Sequence, residues 1–164
     1  MNSSKKVVLI GHFGVGKSSL MRRFVQDSFS DNYTVTIGVH ILKKEVTVGD
    51  HNLTLILWDI EGKDDIQKVR NSYLLGTSGF VYVIDPTRNQ TFEHFNEEID
   101  FLKINYPTAK IISVANKMDV VEIEDFKKVL VQKKITIDYF ASAKTGTDVE
   151  NLFQTLALKM IQDV

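Results

Sequence analysis

The sequence predicts an α/β fold in which a six-stranded, mostly parallel sheet with one antiparallel strand carries helices on both faces. Three observations lead there. Short, fully apolar, β-branched runs alternate along the chain with stretches of helical period. One pair of runs breaks the alternation and meets at Gly49-Asp50, a hairpin turn signal. Clusters of glycine and small polar residues follow directly on the apolar runs, at the edge where sheets of this kind bind ligands.

The elements follow in order. Residues 7–10 form a buried strand ending at Gly11. Residues 17–26 form a helix with Leu20, Met21 and Phe24 on one face. Residues 29–38 have no period and are rich in Ser, Asp, Asn and Thr, which predicts a loop. Residues 39–48 and 52–58 form the hairpin. Residues 59–68 are polar, carry Gly62, and predict a mobile loop leading into a helix. Residues 80–84 are a strand closed by Asp85-Pro86. Residues 92–104 form an amphipathic helix stopped by Pro107. A strand at 111–115, a helix at 123–131, a strand at 135–140 and a closing helix at 149–161 complete the chain. No repeat, low-complexity tract or linker interrupts this order, so residues 1–164 are expected to be a single domain.

The 164 residues are 43% apolar and 25% charged with a formal net charge of −1, which points to a cytoplasmic, soluble protein with no general pull toward nucleic acid or anionic membrane. The absence of cysteine excludes disulfides, thiolate metal sites, cysteine nucleophiles and prenyl or palmitoyl anchors. The start Met1-Asn2 lacks the glycine of a myristoylation site, so no direct membrane anchor is expected in this chain. His12, His40, His51 and His94 stand at no metal-ligand spacing.

Gly11-His12-Phe13-Gly14-Val15-Gly16-Lys17-Ser18 fits G-x-x-x-x-G-K-[ST] at every fixed position, between a strand and a helix. A triphosphate is wrapped by backbone N–H groups, and glycines clear the side chains that would block its approach. Gly14, Val15, Gly16, Lys17, Ser18 and Ser19 are therefore the candidate cradle. The helix directs its positive end at the phosphates. Lys17 adds a charge on the terminal phosphates, and the Ser18 hydroxyl is a candidate Mg²⁺ ligand.

Asn116-Lys117-Met118-Asp119 follows another strand. A carboxylate such as Asp119 accepts from both guanine N1–H and the 2-amino group, a donor pair adenine lacks. Asn116 can tie this loop to the cradle, and the Lys117 stem can cover one face of the base. Ser142-Ala143-Lys144 follows the last strand, where the Ala143 N–H can meet guanine O6.

With these motifs together the chain, from Val7 to about Ile161, resembles the Ras superfamily and most of all its Rab branch. The resemblance implies the P-loop small GTPase fold, GTP and GDP as ligands, Mg²⁺ as cofactor, and exchange factors, GTPase-activating proteins and effectors as partners. Residues 33–39 resemble the first switch. On that match Thr36 joins Mg²⁺ and contacts the γ-phosphate, Phe29 lies edge-on to the guanine, and Tyr33 closes over the phosphates. Trp58-Asp59-Ile60-Glu61-Gly62 resembles the second switch, usually W-D-T-A-G-Q. Asp59 would then hold a Mg²⁺-bound water and Gly62 would offer its N–H to the γ-phosphate. Lys17, Thr36, Gly62 and Lys63 are the implied catalytic positions. Ile41, Trp58 and Tyr73 stand where Rab-type proteins display an apolar triad to effectors, and Trp58 equally fits a filler between sheet and helix.

The chain departs from the family at Lys63, where glutamine usually orients the attacking water. An ammonium donates only, so Lys63 can stabilise phosphate charge but cannot accept from water. Phe13 replaces a small residue and would crowd the γ-phosphate edge and the path of an arginine finger. Ile60-Glu61 replaces Thr-Ala. These changes predict intrinsic hydrolysis at or below the roughly 10⁻⁴ s⁻¹ of Ras itself, with Asp64 or Asp65 as the acceptor that could restore a water contact. The expected function is a GTP/GDP switch in signalling or trafficking. The alternative is a hydrolysis-impaired pseudo-GTPase that scaffolds partners. A P-loop kinase fits less well, because the short segments leave little room for a lid and Asp119 selects guanine.

Overall fold

The structure is a computed structural model that describes residues 2–32 and 35–162. Six strands form one sheet in the order β2-β3-β1-β4-β5-β6. β1 (Asn2–Ile10) lies at its centre, between β3 (His51–Ile60) and β4 (Gly79–Ile84), parallel to both. β2 (Val39–Val48) is the antiparallel edge strand, joined to β3 by the turn at Gly49. β5 (Lys110–Ala115) and β6 (Tyr139–Phe140) continue the parallel order.

The period of two along β1 sorts its side chains into two cores. Val7 and Leu9 face α1 (Lys17–Gln26) and α5 (Val149–Gln162), where Phe24 stacks on Phe153 at 4.2 Å between ring centroids. Val8 and Ile10 face the opposite layer of α2 (Asn71–Leu74), α3 (Phe95–Asn105) and α4 (Ile123–Lys133). Both faces of β4 are buried along its whole length, as expected for a central strand with helices on each side.

Several boundaries differ from the sequence expectation, each for a local reason. β1 starts at Asn2 because β3 offers its backbone to the polar residues from Asn2↔Asn52 to Lys6↔Ile56; pairing with β4 begins only at Val7↔Gly79. β6 keeps two residues of the expected six. α4 ends in a left-handed Lys134, and the Ile135 N–H turns back to the Leu130 carbonyl at 3.0 Å. Asp138 then accepts from the Ser113 N–H (2.8 Å) and Oγ (3.0 Å), so a carboxylate takes the donor that a longer ladder would use. α3 starts at Phe95, after a 3₁₀ turn at Asn89–Thr91, and α2 is a single short turn preceded by a 3₁₀ turn at Ile66–Lys68. Among the described residues, no helix is long and apolar enough to cross a membrane.

The parallel registers bring Gly11, Glu61, Asp85, Asn116 and Ala141 to one edge, each directly after its strand. The cleft forms there.

Candidate functional site

A cleft of about 510 Å³ runs along the carboxyl edge of the sheet. One end is lined by Gly14, Gly16, Lys17, Ser18, Thr36, Asp59 and Gly62, the other by Phe29, Asn116, Lys117, Asp119, Ala143 and Lys144.

The cradle is held open by its glycines. Gly16 caps α1 at φ 102°, and a Cβ there would lie 2.1 Å from Asn116 Nδ2. Gly62 packs on the cradle from the far side: a Cβ would lie 2.4 Å from both Phe13 Cα and Phe13 N. The Lys63 N–H reaches the Gly11 carbonyl at 3.4 Å, closing the contact. Val15 belongs to this loop through its backbone alone. Its side chain is fully buried in the core, and its carbonyl accepts from Asn116 Nδ2 at 3.0 Å.

Lys17 is 5% exposed and donates Nζ to the carbonyls of His12 (2.8 Å) and Gly11 (3.2 Å). Burial lowers its pKa from 10.5 to about 8, with Asp59 pulling in the opposite direction. Burial raises the Asp59 carboxyl, partly countered by hydrogen bonds from Ser18 and Thr36 and by the charge of Lys17. His12 is lowered by burial and by Arg88 and Lys17 nearby.

Ser18, Thr36 and Asp59 converge. Ser18 Oγ donates to Asp59 Oδ2 and lies 2.8 Å from Thr36 Oγ1, which is itself 3.3 Å from Asp59 Oδ2. The second oxygen, Asp59 Oδ1, is buried with no hydrogen-bond partner. This is a hard, all-oxygen donor set with one unsatisfied carboxylate oxygen, which fits Mg²⁺. Sulfur or imidazole ligands play no part, and no group of three or more His, Cys, Asp or Glu suited to a metal occurs among the described residues.

At the other end, Asn116 joins three loops at once. Its Nδ2 donates to Val15, and its Oδ1 accepts the Ala143 N–H at 3.0 Å. Lys117, left-handed at φ 64°, sends Nζ back to the Gly14 carbonyl (2.6 Å) and to Asp85 Oδ2 (2.9 Å). Burial pushes the Asp85 carboxyl up, but hydrogen bonds from Thr87 and Lys117 outweigh it and hold the pKa below its usual value. Asp119 is exposed on the turn Met118–Val120, and its Oδ1 accepts from Ser142 Oγ at 2.7 Å. Ser142 is buried behind Asp119 and does not line the cleft.

Ser19 and Phe29 line the cleft; Tyr33 lies outside the described residues. Lys63 is not among the lining residues, and its Nζ is 3.5 Å from Glu61 Oε2. Asp64 is held by Lys68 at 2.8 Å, and Asp65 accepts the Gln67 N–H at 2.9 Å, so each of these carboxylates has a local partner. Ile41 stands opposite Trp58 across the β2–β3 ladder, and the Tyr73 ring is 6.4 Å from that of Trp58. Lys6 Nζ covers the indole at 3.7 Å.

Three further residues hold the cleft that the motifs do not include. Arg23, on α1, donates Nε to the Ala143 carbonyl (2.8 Å) and Nη2 to the Lys144 carbonyl (2.7 Å). Nothing in the sequence links residue 23 to residue 143. Arg88 holds the Phe13 carbonyl at 2.9 Å with its guanidinium 5.5 Å from the Phe13 ring centroid. Asp85 had a usable signal, since it follows a strand at the ligand edge like the other motifs.

The Ras family model matches residues 6–162. Ras-related protein RABC1 of Arabidopsis thaliana is 36% identical over 170 residues, covering 96% of this chain and 77% of its own length. Ras-related protein Rab-18 of Caenorhabditis elegans is 36% identical over 164 residues, covering 96% and 80%. Ypt/Rab-type GTPase YPT7 of Saccharomyces cerevisiae is 34% identical over 172 residues, covering 96% and 81%. With the six-stranded sheet, and the glycine loop and the loops at Asn116 and Ala143 in one cleft, this chain belongs to the Ras family and is Rab-like within it.

Proposed function

We propose that this single-domain protein is a guanine-nucleotide switch that holds GTP or GDP in the cleft and hydrolyses GTP slowly. The observation that carries the reading is one cleft with two chemically distinct ends. Lys17, Ser18, Thr36 and Gly62 line one, and Asp119, Ala143 and Lys144 the other.

The roles follow from the donors and acceptors present. The backbone N–H groups of Gly14 to Ser19 and the Lys17 ammonium bind the phosphates. The Asp119 carboxylate accepts from guanine N1–H and the 2-amino group, with Ser142 Oγ fixing its orientation. The Ala143 N–H already serves Asn116 Oδ1, so its part in reading O6 is shared with that contact. Ser18 and Thr36 would hold Mg²⁺ directly, with Asp59 acting through a water. When bound, the ion neutralises charge developing on the transferred phosphoryl group. Thr36 and Gly62 would tie both switches to the γ-phosphate, so that its loss releases them. Ile41, Trp58 and Tyr73 form an apolar surface beside those switches that an effector could read. Exchange and activating proteins would set the cycle.

Slow turnover follows from Lys63, which donates only and is paired to Glu61. A donor-only residue at position 63 also favours the second reading, a nucleotide-bound scaffold without useful hydrolysis. Calorimetry with GTP, GDP and ATP in magnesium buffer tests the main reading. GTP and GDP are expected to bind at least roughly 100-fold more tightly than ATP, as a site built to hydrogen-bond a substrate N–H pair discriminates against a base that lacks it. Equal affinity for ATP, or no binding of any of the three, refutes it.

A further inference from the structure

We propose that Glu61, with Lys63 as its counter-charge, is the water-positioning residue of GTP hydrolysis in this chain. The inference rests on the guanine-nucleotide reading above and supplies the acceptor that Lys63 cannot be.

Hydrolysis needs an acceptor oxygen beside the γ-phosphate to orient the attacking water. Asp59 is turned to Ser18 and Thr36 in the Mg²⁺-type cluster, which leaves three carboxylates in the second switch segment that could supply one. Asp64 is held by Lys68, and Asp65 caps the turn at Ile66–Lys68 through the Gln67 N–H. Neither lines the cleft. Glu61 does, as do Gly62 and Thr36. Its backbone is fixed, because the Glu61 N–H donates to the Gly38 carbonyl at 2.7 Å, and the next residue is pressed against the cradle. Its side chain is 41% exposed, so the carboxylate is reachable by water.

A carboxylate beside a triphosphate would by itself repel it. Lys63 Nζ, 3.5 Å from Glu61 Oε2, offsets that charge and leaves Oε1 free of the ion pair. The glutamine of the usual switch combines an acceptor and a donor in one side chain; here the two functions are divided between Glu61 and Lys63. In the step itself the water oxygen bonds to the γ-phosphorus. The bond from the γ-phosphorus to the β,γ-bridging oxygen breaks, and its electron pair leaves with GDP. The proton of the water passes to a γ-phosphate oxygen, so GTP and water give GDP and dihydrogen phosphate. Glu61 orients the water by accepting its hydrogen bond and keeps no proton.

Single-turnover hydrolysis of GTP by the whole chain, with GTP and GDP affinities measured in parallel, tests this. Glu61→Ala is expected to slow hydrolysis at least tenfold while both affinities stay within threefold of wild type. Glu61→Gln, which restores an acceptor oxygen, should recover most of the lost rate. Lys63→Ala should also slow the reaction, and Glu61→Ala combined with Lys63→Ala should be no slower than Glu61→Ala alone, because the pair acts as a unit. The proposal is overturned if Glu61→Ala turns over at the wild-type rate or faster, or if rate and affinity fall together. Wild-type chain that binds GTP without measurable turnover also overturns it, and leaves the nucleotide-binding reading standing. Failure to bind GTP at all sinks both.

Discussion

Arg23 offers a direct test of how the base end of the cleft is held. It lies on α1, yet its guanidinium spans two successive carbonyls of the loop after β6, the proposed base loop, at 2.8 Å on Ala143 and 2.7 Å on Lys144. A third contact to Asp27 at 3.1 Å fixes the side chain, which is 19% exposed. Hydrogen bonds from a charged donor are each worth about 1.5–3 kcal/mol. Partial exposure puts these at the low end, so Arg23→Ala removes about 3 kcal/mol of loop attachment. Nucleotide binding feels only the share needed to order the loop. Taking half gives about 1.5 kcal/mol, a roughly tenfold weaker Kd. Titration with a fluorescent GDP and a fluorescent GTP reads this directly. Both affinities should fall by the same factor, because in the proposed pose this loop meets the base and not the γ-phosphate. Affinities unchanged within twofold, or a loss confined to GTP, would refute the reasoning.

The remaining predictions concern charge, packing and the second switch. Lys17 has a folded pKa of about 8 against an ordinary 10.5, so its burial destabilises the nucleotide-free protein fully below pH 8, and the penalty fades as pH rises from there toward 10.5. Between pH 7 and pH 9 this group alone should add about 1 kcal/mol to denaturant stability without nucleotide, a gain absent in Lys17→Met. Gly62→Ala places a Cβ 2.4 Å from the Phe13 backbone, so the switch must lift off the cradle. Affinity for GTP should drop at least tenfold and that for GDP by less than threefold in equilibrium titrations. Glu98 accepts the Ile66 N–H at 2.6 Å and the Tyr82 hydroxyl on its other oxygen. Glu98→Ala leaves that buried amide unpaired at a cost of about 1–3 kcal/mol, and amide exchange at Ile66 should accelerate about tenfold or more while exchange in β1 is unchanged.

The two ends of the cleft differ in how far the sequence revealed them. Gly11 to Ser18 was legible because wrapping a phosphate demands absent side chains, a helix start and a fixed lysine within a few consecutive residues. Asn116 to Asp119 was legible because it follows a strand, which puts it at the ligand edge. Arg23 was not, since a helical arginine reads as a solvated residue until α5 packing brings residues 143 and 144 against it. The division of labour at Glu61 and Lys63 was hidden too. Sequence marks Lys63 as a donor in the glutamine position, but which of the four charged residues at 61, 63, 64 and 65 faces the cleft depends on where each side chain finds its partner.

By itself the sequence determined what repeats locally: strand against helix, the glycine cradle, the order of the motifs and the family. Period and spacing are carried by adjacent residues, so a linear reading recovers them. Only the tertiary structure decided the extension of β1, the shortening of β6, the Arg23 clasp and the orphaned Asp59 oxygen. Each of these depends on a partner far along the chain, and a hydrogen bond between distant residues exists only after the sheet has set their distance.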